Sequence, residues 1–156
     1  MKNFEQYLCE IKKIAEEEGY TSLDETYVEH LKSRYFGESV IIGERDRIML
    51  RELKLTDVDG FYEFEDADTE EVLCSFVKES KEASKMHLKA YVQNMYPLYD
   101  YGIWAVELKN TKEVIGLCGL GQTEIKGEYF TDLGYYICPK WRNQGIAGEC
   151  VEIVLD

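Results

Sequence analysis

The residues best suited to chemistry lie in segment 139–149, where a predicted strand leads through a turn into a predicted helix. Small residues occur in this turn at Gly145, Ala147 and Gly148. The first turn of a helix has N–H groups without internal partners and the positive end of the helix dipole, so it can hold a phosphate or pyrophosphate. Gly145 places no side chain before these groups, and Arg142 can add a charged contact. The pattern predicts an anion-binding loop, although the same strand, turn and helix also occur as a purely structural unit.

Three carboxylates are candidates for a general base near this loop. Asp132 begins the strand that leads into the loop, Glu107 lies on the preceding hairpin, and Glu128 lies between them. We place the base at Asp132, because its strand would line the site. An acid at the end of a strand is also commonly a solvated surface residue, and that alternative stays open.

Two further patterns are interpreted as structural. Cys138 has no histidine near it in sequence, so it lacks the base that a thiol nucleophile needs. The run Gly116-x-x-Gly119-x-Gly121 looks like a nucleotide-binding loop, but it lies within a predicted hairpin strand and does not open a helix. These glycines therefore predict a bulge or close packing of backbones.

The composition is that of a folded domain with an acidic surface. The chain has 156 residues, of which 45% are hydrophobic and 13% aromatic, and this predicts one domain, with room for an appendage. The net charge of −13 argues against a general nucleic-acid or anionic-membrane binder and favours a cationic partner. No apolar run approaches the roughly 18 residues of a membrane span. An acidic cluster between Glu63 and Glu71 is predicted to be a solvated helix face or loop.

Cysteine and histidine usage indicates neither a disulfide framework nor a metal site. The five cysteines include no CxxC pair, and the two histidines have no metal-ligand spacing. Residues 1–15 carry acids where a signal peptide would carry an apolar region. We therefore expect a cytoplasmic protein that binds no metal.

Residues 1–45 are predicted to form a helical hairpin that is an appendage to the main domain. Apolar residues recur at three- and four-residue steps from Phe4 to Ala15, and this period stops near Gly19. A second helix is predicted to follow Asp24 and to end at Gly37. Two helices cannot bury both apolar stripes alone, so we expect the hairpin to dock on the main domain or on another subunit.

Residues 46–156 are predicted to form the main domain, in which helices and strands are interspersed. The two strands that flank the short polar link at 109–112 should pair antiparallel. The predicted elements are a strand at 48–53, a helix from Thr56-Asp57 through about Glu65, a helix at 81–95 stopped by Pro97, strands at 103–108, 114–120 and 132–138, and a helix at 146–156.

The loop segment resembles a known coenzyme motif. Arg142-x-x-Gly145-x-Ala147, preceded by the Leu-Gly-Tyr-Tyr-Ile-Cys-Pro segment at 133–139, is similar to the acetyl-CoA-binding motif of the GCN5-related N-acetyltransferases (GNAT). The nearest similarity is to the subgroup that acetylates ribosomal-protein N-termini. The order of elements from Arg47 onward also follows the family topology, so the resemblance covers roughly the last two-thirds of the chain.

The resemblance implies a fold and a set of coenzyme contacts. The fold would be α+β, a mixed, mostly antiparallel sheet flanked by helices. The main chain of Ile137 and Cys138 would pair with the pantetheine arm. The pyrophosphate would bind the amides of four residues, with two more nearby: Gln144, Gly145, Ile146 and Ala147, then Arg142 and Asn143.

The implied reaction is direct attack of a neutral primary amine on the acetyl-CoA thioester, with a carboxylate accepting the amine proton through water. The acceptor stays open between a peptide N-terminus and a small amine. The alternative is a noncatalytic coenzyme A-binding or protein-interaction module derived from the same fold. An aspartate at position 145 is expected to abolish coenzyme binding and to leave the fold stable.

The family pattern continues beyond the last residue of this sequence. The next strand and the tyrosine that protonates the leaving thiolate would follow it, so we expect the C-terminal part of the fold to be missing here. Strand 133–138 would then expose an edge. A homodimer through that edge, or the N-terminal hairpin as its cover, is the expected consequence.

Overall fold

The structure is a computed structural model, and it describes residues 3–20, 22–64, 76, 78 and 80–155. The chain divides into two compact units, residues 1–40 and residues 41–156. The acidic cluster predicted between 63 and 71 lies mostly outside the described residues, as does the predicted helix end near Glu65.

The smaller unit is a pair of helices, α1 (Phe4–Glu17) and α2 (Glu25–Tyr35). A capping box begins α1: the Asn3 side chain accepts the Gln6 N–H at 2.9 Å, and the Gln6 side chain accepts the Asn3 N–H at 3.2 Å. The Asp24 carboxylate caps α2. Aromatic rings join the helices, since Tyr35 lies 5.4–5.5 Å from the rings of Tyr7 and Phe4. The predicted helical hairpin is confirmed.

The larger unit is built on a five-stranded sheet in which every pairing is antiparallel. Each strand lies beside its neighbour in the chain, in the order β1-β2-β3-β4-β5. No strand among the described residues pairs with the outer side of β5, so it is an edge strand. The strands are β1 (Ile41–Glu44), β2 (Ile48–Arg51), β3 (Ile103–Leu108), β4 (Val114–Ile125) and β5 (Glu128–Ile137).

Helices cover both faces of this sheet. They are α3 (Asp57–Phe61), α4 (Lys81–Tyr99) and α5 (Ile146–Leu155). Successive strand residues point to opposite faces, and accordingly Val106 packs with Ile153 of α5, whereas Ala105 packs with Phe61 of α3 and Leu88 of α4. The predicted α+β class, a mostly antiparallel sheet flanked by helices, is confirmed.

Strand β1 was not predicted from the sequence. It has only four residues, and it lies in segment 1–45, which we assigned to the hairpin appendage. Its pairing with β2 is antiparallel and irregular between Ile41 and Gly43. So short a strand shows almost no alternation of polar and apolar residues. The hydrogen bonds with β2, and not its own sequence, stabilise its extended conformation.

Two element ends differ from those predicted. Helix α4 runs through Pro97 to Tyr99 and ends at Asp100, which has a left-handed φ of 56° and donates its N–H to the Tyr96 carbonyl at 2.8 Å. Pro97 lies within the last turn, where a proline removes only one helical hydrogen bond. Helix α3 is five residues long, and Thr56 makes no side-chain cap. The neighbouring Asp57 carboxylate instead accepts the Lys54 N–H at 2.7 Å.

The segment between the predicted strands at 114–120 and 132–138 is a hairpin rather than a loop. Strands β4 and β5 stay paired out to Ile125 opposite Glu128, and a two-residue turn joins them. Both turn residues have left-handed φ, 52° at Lys126 and 81° at Gly127, as this tight hairpin requires. The hairpin escaped prediction because most of its side chains on both faces are exposed, which removes the alternation of polar and apolar residues.

The glycines of β4 mark both a bulge and close packing, as predicted. The register with β3 shifts between Val106 and Glu107. A Cβ at Gly116 would lie 2.1 Å from the Tyr136 carbonyl oxygen, and one at Gly119 would lie 2.1 Å from the Gly102 carbonyl oxygen. Neither position can hold a side chain without moving backbone.

Within the described part of the chain, no helix is long and apolar enough to cross a membrane. The same residues contain no group of three or more His, Cys, Asp or Glu side chains that could hold a metal ion.

Candidate functional site

The segment between β5 and α5 forms a tight loop with two left-handed residues. A 3₁₀ turn (Pro139–Trp141) follows β5, then Asn143 has a φ of 63° and Gly145 a φ of 81°. Glycine adopts this conformation without strain, whereas a residue with a Cβ does not. The expectation that aspartate at position 145 leaves the fold stable considered helix capping and not this backbone angle, which adds a strain cost.

The amide groups at the start of α5 are available to an anion. The first bond of the helical pattern runs from the Glu149 N–H to the Gly145 carbonyl at 3.1 Å. The N–H groups of Ile146, Ala147 and Gly148 precede it, so the helix itself gives them no partner. The helix dipole adds positive potential at this end.

A cavity of about 430 Å³ lies beside these amides. Of the eight residues predicted to contact the coenzyme, six line it, whereas Cys138 and Gln144 do not. The open lining continues onto β5 through Tyr135, which is 52% exposed. The full lining is Tyr135, Tyr136, Ile137, Trp141, Arg142, Asn143, Gly145, Ile146 and Ala147.

Of Ile137 and Cys138, whose main chains were predicted to pair with the pantetheine arm, only Ile137 directs its N–H to the open edge of β5. Cys138 donates its N–H to the Ile115 carbonyl at 2.8 Å, and its own carbonyl accepts the Trp141 N–H at 2.9 Å. Both polar groups of Cys138 are thus engaged within the chain. Because adjacent residues direct their N–H groups to opposite edges, the Ile137 N–H points away from β4.

The Arg142 side chain folds back onto β5. Its Nε donates to the Ile137 carbonyl at 2.7 Å, and its guanidinium lies 5.4 Å from the centre of the Tyr136 ring. Sequence reasoning assigned this guanidinium to the anion. In the structure its Nε is engaged with β5, and Arg142 also lines the cavity, so its contact with an anion stays a prediction.

A second arginine, which sequence reasoning missed, contacts the loop. Arg47, in the turn between β1 and β2, donates from Nη2 to the Gln144 carbonyl at 2.8 Å and to Glu149 Oε2 at 2.5 Å. These contacts span 97 and 102 residues. No local sequence signal connects positions so distant, and the strand pairings of the sheet bring Arg47 to the loop.

The three candidate bases lie in different environments. Asp132 is exposed and accepts a hydrogen bond from the Thr123 hydroxyl. It lies five residues before Ile137, about 17 Å along the strand, and does not line the cavity. Glu128 is exposed at the start of β5.

Glu107 is buried and ion-paired, and is therefore a structural residue. Its Oε2 accepts from Arg51 Nε at 2.5 Å, and Arg51 also binds both oxygens of Asp57 at 3.0 Å. Burial alone would lower the pKa of Arg51, but the hydrogen bonds and charges of Asp57 and Glu107 raise it above its ordinary value. A carboxylate held in this way is not free to accept a proton from a substrate.

Cys138 has the properties of an inert thiol. Burial, with a smaller effect from the Glu113 charge, raises its pKa to about 11. The thiol is therefore protonated near neutral pH. A nucleophilic cysteine, by contrast, must be a thiolate. This agrees with its interpretation from sequence as an ordinary small residue.

The chain matches an acetyltransferase family model and is similar to solved structures of acetyltransferases. The family model described as "Acetyltransferase (GNAT) domain" matches residues 47–156. No curated protein matches the chain. Among solved structures, a protein from Bordetella pertussis assigned to the GnaT-family acetyltransferases is similar, with a TM-score of 0.58 and 16% identity over 74% of this chain and 68% of that one.

Two further structures share the fold. RimL, a ribosomal L7/L12 alpha-N-protein acetyltransferase, matches with a TM-score of 0.57 and 15% identity over 74% of this chain and 62% of its own. A protein from Vibrio cholerae assigned as a ribosomal-protein-serine acetyltransferase matches with a TM-score of 0.52 and 17% identity over 72% of this chain and 63% of its own. The chain thus corresponds to between 62% and 68% of the length of these proteins. At such identities the similarity shows the fold alone.

Proposed function

The chain belongs to the GNAT acetyltransferase family, and from that premise we propose that it transfers the acetyl group of acetyl-CoA to a primary amine. The observation that carries the proposal is the cavity beside the Gly145 loop, which six residues predicted for the coenzyme line together. Acetyl-CoA supplies the activated acetyl group as a thioester. The chain's own residues bind it, orient it and manage the proton of the amine.

The start of α5 fits the coenzyme pyrophosphate. The amides of Gly145, Ile146 and Ala147 lie at the positive end of the helix dipole and line the cavity. Gly145 has the left-handed φ of 81° that lets the backbone itself form the cradle. This arrangement suits a doubly charged group in a protein whose net charge is −13, because it binds the anion without a cluster of basic side chains.

The outer edge of β5 fits the pantetheine arm. The arm contains amide groups that can pair with a strand, and the Ile137 N–H is directed to that edge. The Ile137 carbonyl already accepts the Arg142 Nε, so the N–H is the group of Ile137 that we assign to the arm. Cys138, with both its backbone groups engaged, is not part of this pairing.

Proton transfer from the amine requires a solvent-accessible acid, and we place it at Asp132. The carboxylate is exposed on the same strand as Ile137, whereas Glu107 is held by Arg51. Glu128 is the other exposed acid of the three candidates. A base acting through water has to lie within hydrogen-bond reach of that water and not of the amine itself.

For the acceptor we propose a peptide N-terminus or a small amine. An acidic protein attracts an amine in its protonated, cationic form, which can then lose its proton at the site. The names of RimL and of the Vibrio cholerae protein describe acetylation of ribosomal proteins, and this supports including peptide N-termini among the acceptors.

The test measures binding and turnover separately. Calorimetry with coenzyme A should show binding at one site. Release of the coenzyme A thiol from acetyl-CoA, followed with a thiol-reactive chromophore, should depend on an added peptide or small amine. Asp132→Asn should lower turnover and leave coenzyme affinity unchanged, with Glu128→Gln as the matched control. Binding without turnover for any amine would make the chain a noncatalytic coenzyme A-binding module, and failure to bind would remove the proposal.

A further inference from the structure

Arg47 lies at a junction between the sheet and the loop. Its side chain donates to the Gln144 carbonyl at 2.8 Å and to Glu149 at 2.5 Å. Its own carbonyl accepts the Lys109 N–H at 2.9 Å, which fixes this turn to the end of β3. The backbone of Arg47 is therefore anchored to the sheet, and its side chain reaches from there to the loop.

The bond to Gln144 sets the direction of the next amide. In a trans peptide the carbonyl and the following N–H point in opposite directions, and the described residues contain no cis peptide bond. With the Gln144 carbonyl directed at Arg47, the Gly145 N–H must point away from Arg47. Gly145 lines the coenzyme cavity and Arg47, among the described residues, does not.

We propose that Arg47 is a positioning residue for the coenzyme: it holds the Gln144–Gly145 peptide so that the Gly145 N–H faces the cavity. This inference rests on the proposed function. Arg47 acts through the peptide and is not itself a phosphate ligand.

Glu149 strengthens the same arrangement. Its carboxylate lies on the first turn of α5, where an unpaired negative charge would repel a pyrophosphate. Pairing with Arg47 neutralises that charge and also fixes the guanidinium from a second side. Arg142 contacts a different part of the structure, since its Nε binds the Ile137 carbonyl.

The chain offers a matched control in Arg45. Arg45 lies two residues earlier, and it also reaches α5, with its Nε 3.6 Å from Glu152 Oε2. Its Nη1 donates to the Glu44 carbonyl at 3.0 Å, and neither of these two contacts involves the loop. Arg45→Gln therefore removes the same charge and a bridge to the same helix, but leaves the Gln144 peptide held.

The experiment compares coenzyme A binding to the wild type, Arg47→Gln, Arg47→Lys and Arg45→Gln by calorimetry, at a temperature at which circular dichroism shows all four folded. Arg47→Gln should raise Kd about tenfold, since a charge-assisted hydrogen bond that orients a ligand-binding amide is lost. Arg47→Lys, which keeps a charged donor, should recover part of the loss. Arg45→Gln should bind like the wild type. In turnover assays KM for acetyl-CoA should rise in Arg47→Gln and kcat should stay unchanged.

A readout without ligand keeps this inference separate from the proposed function. The backbone ¹⁵N order parameter of Gly145 should fall in Arg47→Gln, from about 0.85 towards 0.6, and should stay at the wild-type value in Arg45→Gln. If the wild type binds no coenzyme A but Gly145 still loosens, the proposed function fails and the positioning of the peptide stands. Unchanged Kd in Arg47→Gln, an equal rise in Arg45→Gln, or an unchanged Gly145 order parameter would each overturn the inference.

Discussion

A negative charge at Gly145 should strongly weaken coenzyme binding at a small cost in stability. Gly145→Asp places a carboxylate beside the amides that we assign to the pyrophosphate. Even at the dielectric constant of water, a unit charge about 6 Å from a doubly charged group costs about 1.4 kcal/mol, or tenfold in Kd. The less polar environment of the loop makes the penalty larger. The Kd for coenzyme A should therefore rise at least about tenfold.

The stability cost follows from the backbone angle and the space around it. At a φ of 81° a residue with a Cβ is strained by about 1 kcal/mol, aspartate being among the better tolerated. There is no clash to add, because the nearest atom to a Cβ would be Arg47 Nη2 at 3.9 Å. A negative charge at the helix start offsets about 0.3–1 kcal/mol. The net loss of at most about 1 kcal/mol lowers Tm by at most about 4 °C.

Gly127→Asp is the matched control. Gly127 has the same φ of 81° and open space around it, but it lies in the turn between β4 and β5 and does not line the cavity. This variant has the strain without the helix-dipole compensation, so it should lose about 1 kcal/mol and bind coenzyme A normally. Calorimetry gives the affinities and thermal melting gives the stabilities. Normal affinity in a folded Gly145→Asp variant would refute the assignment of the loop as the phosphate site.

Three further predictions concern the framework that holds the site. Gly119→Ala should destabilise the protein by at least about 1–3 kcal/mol, because its Cβ would lie 2.1 Å from the Gly102 carbonyl oxygen. The control Gly60→Ala, in a helix and with open space around it, should leave Tm unchanged or raise it. Arg51→Met should cost about 3–5 kcal/mol in denaturant unfolding, because it leaves Asp57 and Glu107 buried without their cation; a loss below about 1 kcal/mol would contradict the structural role of this pair. Burial raises the pKa of Tyr91 and Tyr96 above the ordinary 10.0, so on raising the pH the unfolded chain loses these protons before the folded chain does. The stability that they contribute is therefore fully present below pH 10 and falls as the pH rises above 10. Tyr96→Phe should weaken that alkaline fall and should itself cost about 1–3 kcal/mol, since the hydroxyl binds the Leu53 N–H and the Ile103 carbonyl.

Local sequence signals were sufficient to predict the elements that are stabilised by residues close to them in the chain. Asp24 caps α2 from within its own first turn, and the polar link at 109–112 closes the β3–β4 hairpin. The loop between β5 and α5 belongs to the same class, because its glycine and its helix start are adjacent in sequence. Six of the eight residues predicted there from the sequence line one cavity, and their contact with a coenzyme stays a prediction.

Contacts between distant residues could not be predicted in this way. In the sequence Arg51 is one more residue of an alternating strand, and its partner Glu107 is 56 residues away. The ion pair between them, which removes Glu107 from the candidate bases, could not be predicted. Arg47 reaches the loop through the pairing of β2 with β3 and with β1, a strand too short to recognise in the sequence. Self-association through the outer edge of β5, metal independence and a cytoplasmic location stay predictions.

The two tryptophans give this protein an internal optical probe of the loop. Trp141 lines the cavity beside the Gly145 loop, whereas Trp104 is buried in the core with 4% exposure. Emission from Trp141 should therefore change when a ligand enters the cavity, and emission from Trp104 should report on the core. A Trp141→Phe variant isolates the emission of Trp104. Ligand screening by fluorescence thus needs no added label, and a spectral change that persists in Trp141→Phe identifies compounds that perturb the core and not the loop.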